Sequence, residues 1–136
     1  MTHLHKSIVI LFLCFISQQG YCQSYKFTTS GLSVLEKNEK GKWGQWSDLD
    51  LVNIVVSLDT NKNRIVIYSQ IVQLFEIVAY QDIVETDTDI IYSFVCKDII
   101  GDDCTLSFIT RKKQDNRKQL YLNYDRKIIV YNIFNM

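Results

Sequence analysis

Residues 92–108 read Tyr-Ser-Phe-Val-Cys-Lys-Asp-Ile-Ile-Gly-Asp-Asp-Cys-Thr-Leu-Ser-Phe and are nearly symmetric about Ile100. Folding the segment there as a hairpin sets Cys96 opposite Cys104, Phe94 opposite Leu106 and Tyr92 opposite Phe108. Strand side chains alternate between faces with period two, so all six share one side. A chain that must bury such a face needs further strands beside it.

The rest of the sequence supplies them. Runs rich in Val, Ile, Tyr, Phe and Thr recur between Asn, Asp, Gly and Lys clusters, the pattern of an antiparallel all-β domain. Strands are expected at 24–29, 31–37, 43–46 running into 51–58, 64–69, 71–80, 90–97, 104–110, 119–124 and 127–134. In the stretch 51–58, Val52, Ile54, Val56 and Leu58 fall on one face. The segments Asn38–Lys42 and Asp59–Asn63 read as turns, with Gly41 supplying positive φ and Asn tolerating the left-handed conformation. Residues 70–81 fit a helix period as well as a strand, through Ile71, Leu74, Phe75 and Val78. Their Ile, Val, Phe and Tyr content favours strand; a helix would make the fold α+β. The fold class expected is all-β, a single small antiparallel barrel or sandwich of about eight strands.

The N-terminus reads differently. Lys6 precedes nine unbroken apolar residues, Ile8 to Ile16, and a polar stretch ending at Gly20-Tyr21-Cys22. This is the pattern of a signal peptide spanning residues 1–22, with the domain at 23–136. A membrane-spanning helix needs about 20 apolar residues, so no transmembrane span is expected. Gly20 and Cys22 would stand at −3 and −1 of a cut before Gln23. A lipoprotein cut before Cys22 is the alternative, and the bulky Tyr21 argues against that lipid anchor. The expected localisation is secreted or periplasmic.

Removing 22 of 136 residues leaves 114, and with the leader go both histidines, His3 and His5, together with Cys14 and Cys22. The remainder has no His, no Pro, and two cysteines, Cys96 and Cys104. An oxidising compartment permits a disulfide. Opposed Cβ atoms about 4.5–5.5 Å apart can twist to bonding distance. A Cys96–Cys104 disulfide is therefore expected, contributing about 2–3 kcal/mol, with two buried thiols as the alternative. Loss of Lys6 leaves 14 basic against 15 acidic residues. A near-neutral chain has no long-range attraction for nucleic acid, and none is expected as a partner.

Several motifs together, Trp43-x-x-Trp46-Ser47, Arg64-Ile65-x-Ile67-Tyr68-Ser69, Cys96-x7-Cys104, Gln119-Leu120-Tyr121-Leu122-x-Tyr124 and Val130-Tyr131-Asn132, resemble a group of uncharacterised small secreted β proteins of Bacteroidetes-type bacteria. The resemblance implies an antiparallel β fold outside the cytoplasm and carries no activity. Gly41-x-Trp43 also resembles the Gly-x-Trp that opens lipocalin-like barrels, whose indole closes the barrel bottom. It follows some 18 residues that already look like strands, and 114 residues is short for a barrel with a ligand cavity. A barrel filled by its own side chains is the expectation.

Without histidine, Ser-His-Asp and Cys-His catalysis and His-containing zinc sites are excluded. Two cysteines cannot close a structural zinc site, and the phosphate-loop glycine patterns are missing. Carboxylate chemistry survives, through Asp82, Glu85, Asp87 and Asp89 or through Asp98, Asp102 and Asp103, although such loops are ordinarily just solvated. Asp87-x-Asp89 is a calcium candidate lacking the glycine and distal Glu of an EF-hand. Otherwise no metal or cofactor is expected. Arg111-Lys112-Lys113 and Arg117-Lys118 read as a solvated basic turn, or as a surface of opposite sign to the acidic loops that orients a protein partner.

Trp43 and Trp46 are the candidate ligand contacts. In an extended chain residues three apart face opposite ways, so one indole is expected in the core and the other, Trp46, outside; a bulge at Gly44 would restore a shared face. The expected function is a non-enzymatic secreted or periplasmic module that binds a protein or small ligand. The alternatives are a structural envelope component without ligand, or a carboxylate-based hydrolase. Cleavage is checked directly: Edman sequencing of protein exported by its native host should begin at Gln23, and a start at Met1 would remove the signal-peptide assignment.

Overall fold

A computed structural model describes residues 24–136. The signal peptide assigned to residues 1–22 lies outside the described residues. Ten strands form: β1 (Ser24–Glu36), β2 (Asp50–Leu51), β3 (Val55–Asp59), β4 (Arg64–Ile67), β5 (Gln73–Tyr80), β6 (Val84–Glu85), β7 (Asp89–Asp98), β8 (Asp103–Arg111), β9 (Arg117–Asn123) and β10 (Lys127–Asn135). Eight of them close an antiparallel barrel in chain order, β1-β3-β4-β5-β7-β8-β9-β10, and β10 returns to pair with β1. The two-residue strands β2 and β6 are appended to β1 and β7.

The cysteine hairpin adopts the register expected of it: Tyr92↔Phe108, Phe94↔Leu106 and Cys96↔Cys104. Its tip closes with Gly101 N–H donating to the Asp98 carbonyl at 3.0 Å and Asp98 N–H donating to the Asp102 carbonyl at 3.0 Å. Gly101, at φ 98°, holds the left-handed position that this three-residue loop requires. Asp98 Oδ1 accepts from the backbone N–H groups of Ile100, Gly101 and Asp102 at 2.9–3.1 Å. Gly41 (φ 77°) and Asn63 (φ 50°) likewise take up the turn geometry read at those positions.

Residues 70–81 contribute a strand, β5, with a β-bulge between Ile77 and Ala79. Before the bulge Phe75 and Ile77 point inward; after it the inward residue is Tyr80, paired with Phe94. One extra residue thus changes the inward spacing from two to three, which imitates a helix period. The expected strands 24–29 and 31–37 are likewise one strand, β1, bulged between Thr29 and Gly31. Thr29 is 3% exposed and stitches this irregular site. Its Oγ1 donates to the Val52 carbonyl at 2.6 Å and accepts from Ile54 N–H at 3.1 Å.

The expected strand at 43–46 does not form. Trp43 makes one isolated bridge to Lys37, and the chain then runs back along β1 through Gly44 N–H to the Glu36 carbonyl and Ser47 N–H to the Val34 carbonyl, both 2.8 Å. Nor does either indole enter the core: Trp43 is 43% exposed and Trp46 48%. An eight-stranded barrel has an interior just wide enough for its own side chains. At the end beside the Asn38–Lys42 turn that space is taken by the fully buried Ile67, Phe75, Cys96 and Leu122. The Gly41-x-Trp43 indole therefore lies outside the barrel bottom, with Lys37 Nζ 4.9 Å from its ring centroid.

Thr29→Val keeps the volume and deletes both side-chain hydrogen bonds, stranding the Val52 carbonyl and Ile54 N–H. Urea denaturation should show a loss of about 1–3 kcal/mol. An unchanged midpoint would mean that the bulge is held by β1 pairing alone.

Candidate functional site

The barrel is filled at one end and open at the other. At the end formed by the starts of β1, β7 and β9 and the ends of β3, β5, β8 and β10 lies a cavity of about 530 Å³. This corrects the expectation of a barrel filled throughout by its own side chains. The strand alternation explains why the opening is aromatic: Tyr25 and Phe27 of β1, Tyr80 of β5, Tyr92 and Phe94 of β7 and Phe108 of β8 all project into it. Phe27 and Phe108 have centroids 5.4 Å apart, and Phe94 stands edge-on to both Phe108 (5.9 Å) and Tyr80 (5.5 Å). These are favourable aromatic geometries that hold the wall in place. Tyr80 Oη donates to Asn63 Oδ1, which ties β5 to the turn before β4.

Polar groups gather at the rim. Thr60, Gln81, Thr110, Lys118 and Asn135 line it, and Lys118 Nζ donates to Thr110 Oγ1 at 3.2 Å. Among the described residues no Asp or Glu lines this cavity. The basic segment read as a solvated turn therefore divides. Lys118 shares the inward face of β9 with Leu120 and Leu122, both 0% exposed, while Arg117 and Gln119 face outward. Arg111 binds Asp89 at 3.1 Å, and Lys112 approaches Glu85 at 3.6 Å, so the acidic and basic loops engage each other within the chain.

The calcium candidates are separated in the same way. The Asp89 carboxylate is held by Arg111 and Thr88, whereas Asp87 stands exposed in the turn. Among the described residues no group of three or more His, Cys, Asp or Glu side chains converges to hold a metal ion.

Trp43 and Trp46, the candidate ligand contacts, lie away from the mouth. Trp46 leans over the outer wall beside Ser33, where a shallow groove of about 340 Å³ is lined by Arg117, Gln119, Tyr121 and Asn132. A polar ladder spans that wall: Arg111 donates to Gln119 Oε1 (3.1 Å) and Tyr121 Oη (3.0 Å), and Arg117 donates to Asn132 Oδ1 (2.9 Å). Of the mouth residues, the hairpin symmetry already places Tyr92, Phe94 and Phe108 on one face; for the polar rim the signal is alternation along β8 and β9, since continuing the Phe108 and Leu120 faces outward reaches Thr110 and Lys118.

Cys96 and Cys104 face one another near the filled end but are buried free thiols, which corrects the expected disulfide. The Asp98–Asp102 hydrogen bond gives the reason. Moving two residues along an antiparallel ladder returns the same kind of site, so Cys96 and Cys104 form a hydrogen-bonded pair, with Cα atoms about 5.5 Å apart and side chains farther separated than at the intervening sites. Burial pushes the Cys96 thiol up to about 12 and the Cys104 thiol up to about 11. Burial likewise raises Tyr124, whose hydroxyl donates to Asp98 Oδ2 at 3.1 Å.

No protein-family model matches the chain, and no curated protein or solved structure matches it.

The raised thiols make a signed prediction. The folded state holds these protons more tightly than the unfolded chain, whose thiols titrate near 9.0. The associated stability is complete below pH 9 and is lost as pH rises toward 11–12. Urea midpoints measured across that window should fall, and should fall less steeply in Cys96→Ala. A midpoint rising with pH would contradict the burial of the thiols.

Proposed function

We propose that this chain is a non-enzymatic extracytoplasmic binding module whose ligand is a small, largely apolar molecule held in the open end of the barrel. The observation that carries the reading is the cavity of about 530 Å³ walled by aromatic side chains and rimmed by a few polar groups. That is the ordinary composition of a small-molecule site, where apolar lining gives affinity and sparse polar groups give orientation. The absence of any carboxylate from the lining favours binding over the hydrolase alternative, which requires two acids across a cleft. Barrel closure favours it over an envelope component assembling through exposed strand edges, because the long strands are paired on both sides. The extracytoplasmic location rests on the signal peptide and on the resemblance to secreted β proteins.

A second reading attaches to Trp46. Its indole, with Tyr121 and the amides of Gln119 and Asn132, offers the outer groove to a flat polar ligand such as a sugar ring. Quenching of Trp46 fluorescence by glycans, lost in Trp46→Phe, would support that use of the groove.

For the mouth, the neutral dye N-phenyl-1-naphthylamine should brighten on binding the native protein. Asn135→Trp, which puts an indole at the rim, should abolish the enhancement while leaving the circular dichroism spectrum unchanged. No enhancement with the native protein would remove the reading.

A further inference from the structure

Among the described residues the cavity has one charged lining residue, Lys118. Its position on the inward face of β9, in line with the fully buried Leu120 and Leu122, directs the side chain into the barrel rather than along the surface. Among the described residues no carboxylate lies within 4.0 Å of its ammonium, and its hydrogen-bond partner is the neutral Thr110 Oγ1 at 3.2 Å. Arg111 and Lys112, which follow Thr110 along the chain, do have carboxylate partners, Asp89 and Glu85.

A cation half-withdrawn from water beside aromatic walls is costly unless an anion accompanies it. Among the described residues no side chain supplies that anion within 4.0 Å, so the cavity-facing cation is left to be matched from outside. Lysine presents a point charge with rotatable donors and imposes no bidentate geometry. Thr110, which now accepts from the ammonium, can turn its own hydroxyl proton toward an incoming oxygen. Below them lies the wall of Phe27, Phe94 and Phe108, where no charged group waits.

We infer that the cavity takes a singly anionic amphiphile, its head group held by Lys118 and Thr110 and its apolar body against the three phenylalanines. The inference rests on the mouth being a ligand site and specifies the ligand's chemistry.

Two matched probes test it. Decanoate and decanol share a chain and differ in head-group charge, and isothermal titration of each into the full-length folded protein needs no variant. Decanoate should bind about tenfold more tightly at low salt, the difference shrinking as salt is added. In Lys118→Met, checked for folding by circular dichroism, the gap should close with decanol affinity unchanged, and Lys118→Arg should restore it. Equal affinities for the native protein, or a gap that persists in Lys118→Met, would overturn the role of Lys118 while leaving the cavity as an apolar ligand site. Binding of neither probe would overturn both.

Discussion

The pairing of β1 with β10 creates the inside of this protein. It joins Phe27 to Asn135 and Glu36 to Lys127, across almost the whole described chain, and turns a meander of hairpins into a ring. Before that contact every other strand pairing is local to the sequence, and the two terminal strands are edges with unpaired backbone. After it, the alternation of each strand has a defined meaning: one face looks into a space about as wide as its side chains, the other looks out. The cavity, the buried thiols and the inward lysine all presuppose closure.

Closure does not by itself divide the barrel into a filled end and an open one. Toward the cysteine hairpin tip the inward positions carry Ile67, Phe75, Cys96 and Leu122, which leave no solvent exposure above 1%. Toward the mouth the aromatic rings meet edge-on or tilted, a packing that makes walls more readily than a plug. The bulges work in the same sense. The one in β5 sends Tyr80 inward where strict alternation would have sent Ala79, and the one in β1 re-phases the strand so that Tyr25 and Phe27 face the mouth while Leu32 faces the core.

How readable each part was follows from the range of the interactions behind it. The cysteine hairpin was legible in full register, because a nine-pair ladder around one turn is a local structure with a period of two. The turns at Gly41 and Asn63 were legible because few residues tolerate positive φ. Residues 70–81 were ambiguous for the physical reason that a bulge mixes spacings of two and three. The disulfide failed on a finer detail: two residues can be opposed and still occupy the hydrogen-bonded site, where the side chains stand farther apart.

The sequence by itself determined an all-β chain, most of its longer strands, the face shared by Cys96 and Phe94, and the lack of histidine chemistry after residue 22. Those properties follow from composition and from periodicities confined to one or two strands. Whether either indole lay inside, whether the barrel held a space, and where Lys118 pointed were decided only by tertiary structure. The tryptophans lost their place in the core because distant strands had already filled it, and Lys118 left the solvated turn because its strand's inward face was fixed by neighbours on both sides. A side chain's surroundings depend on which strands become adjacent on closure, and no window of sequence contains that information.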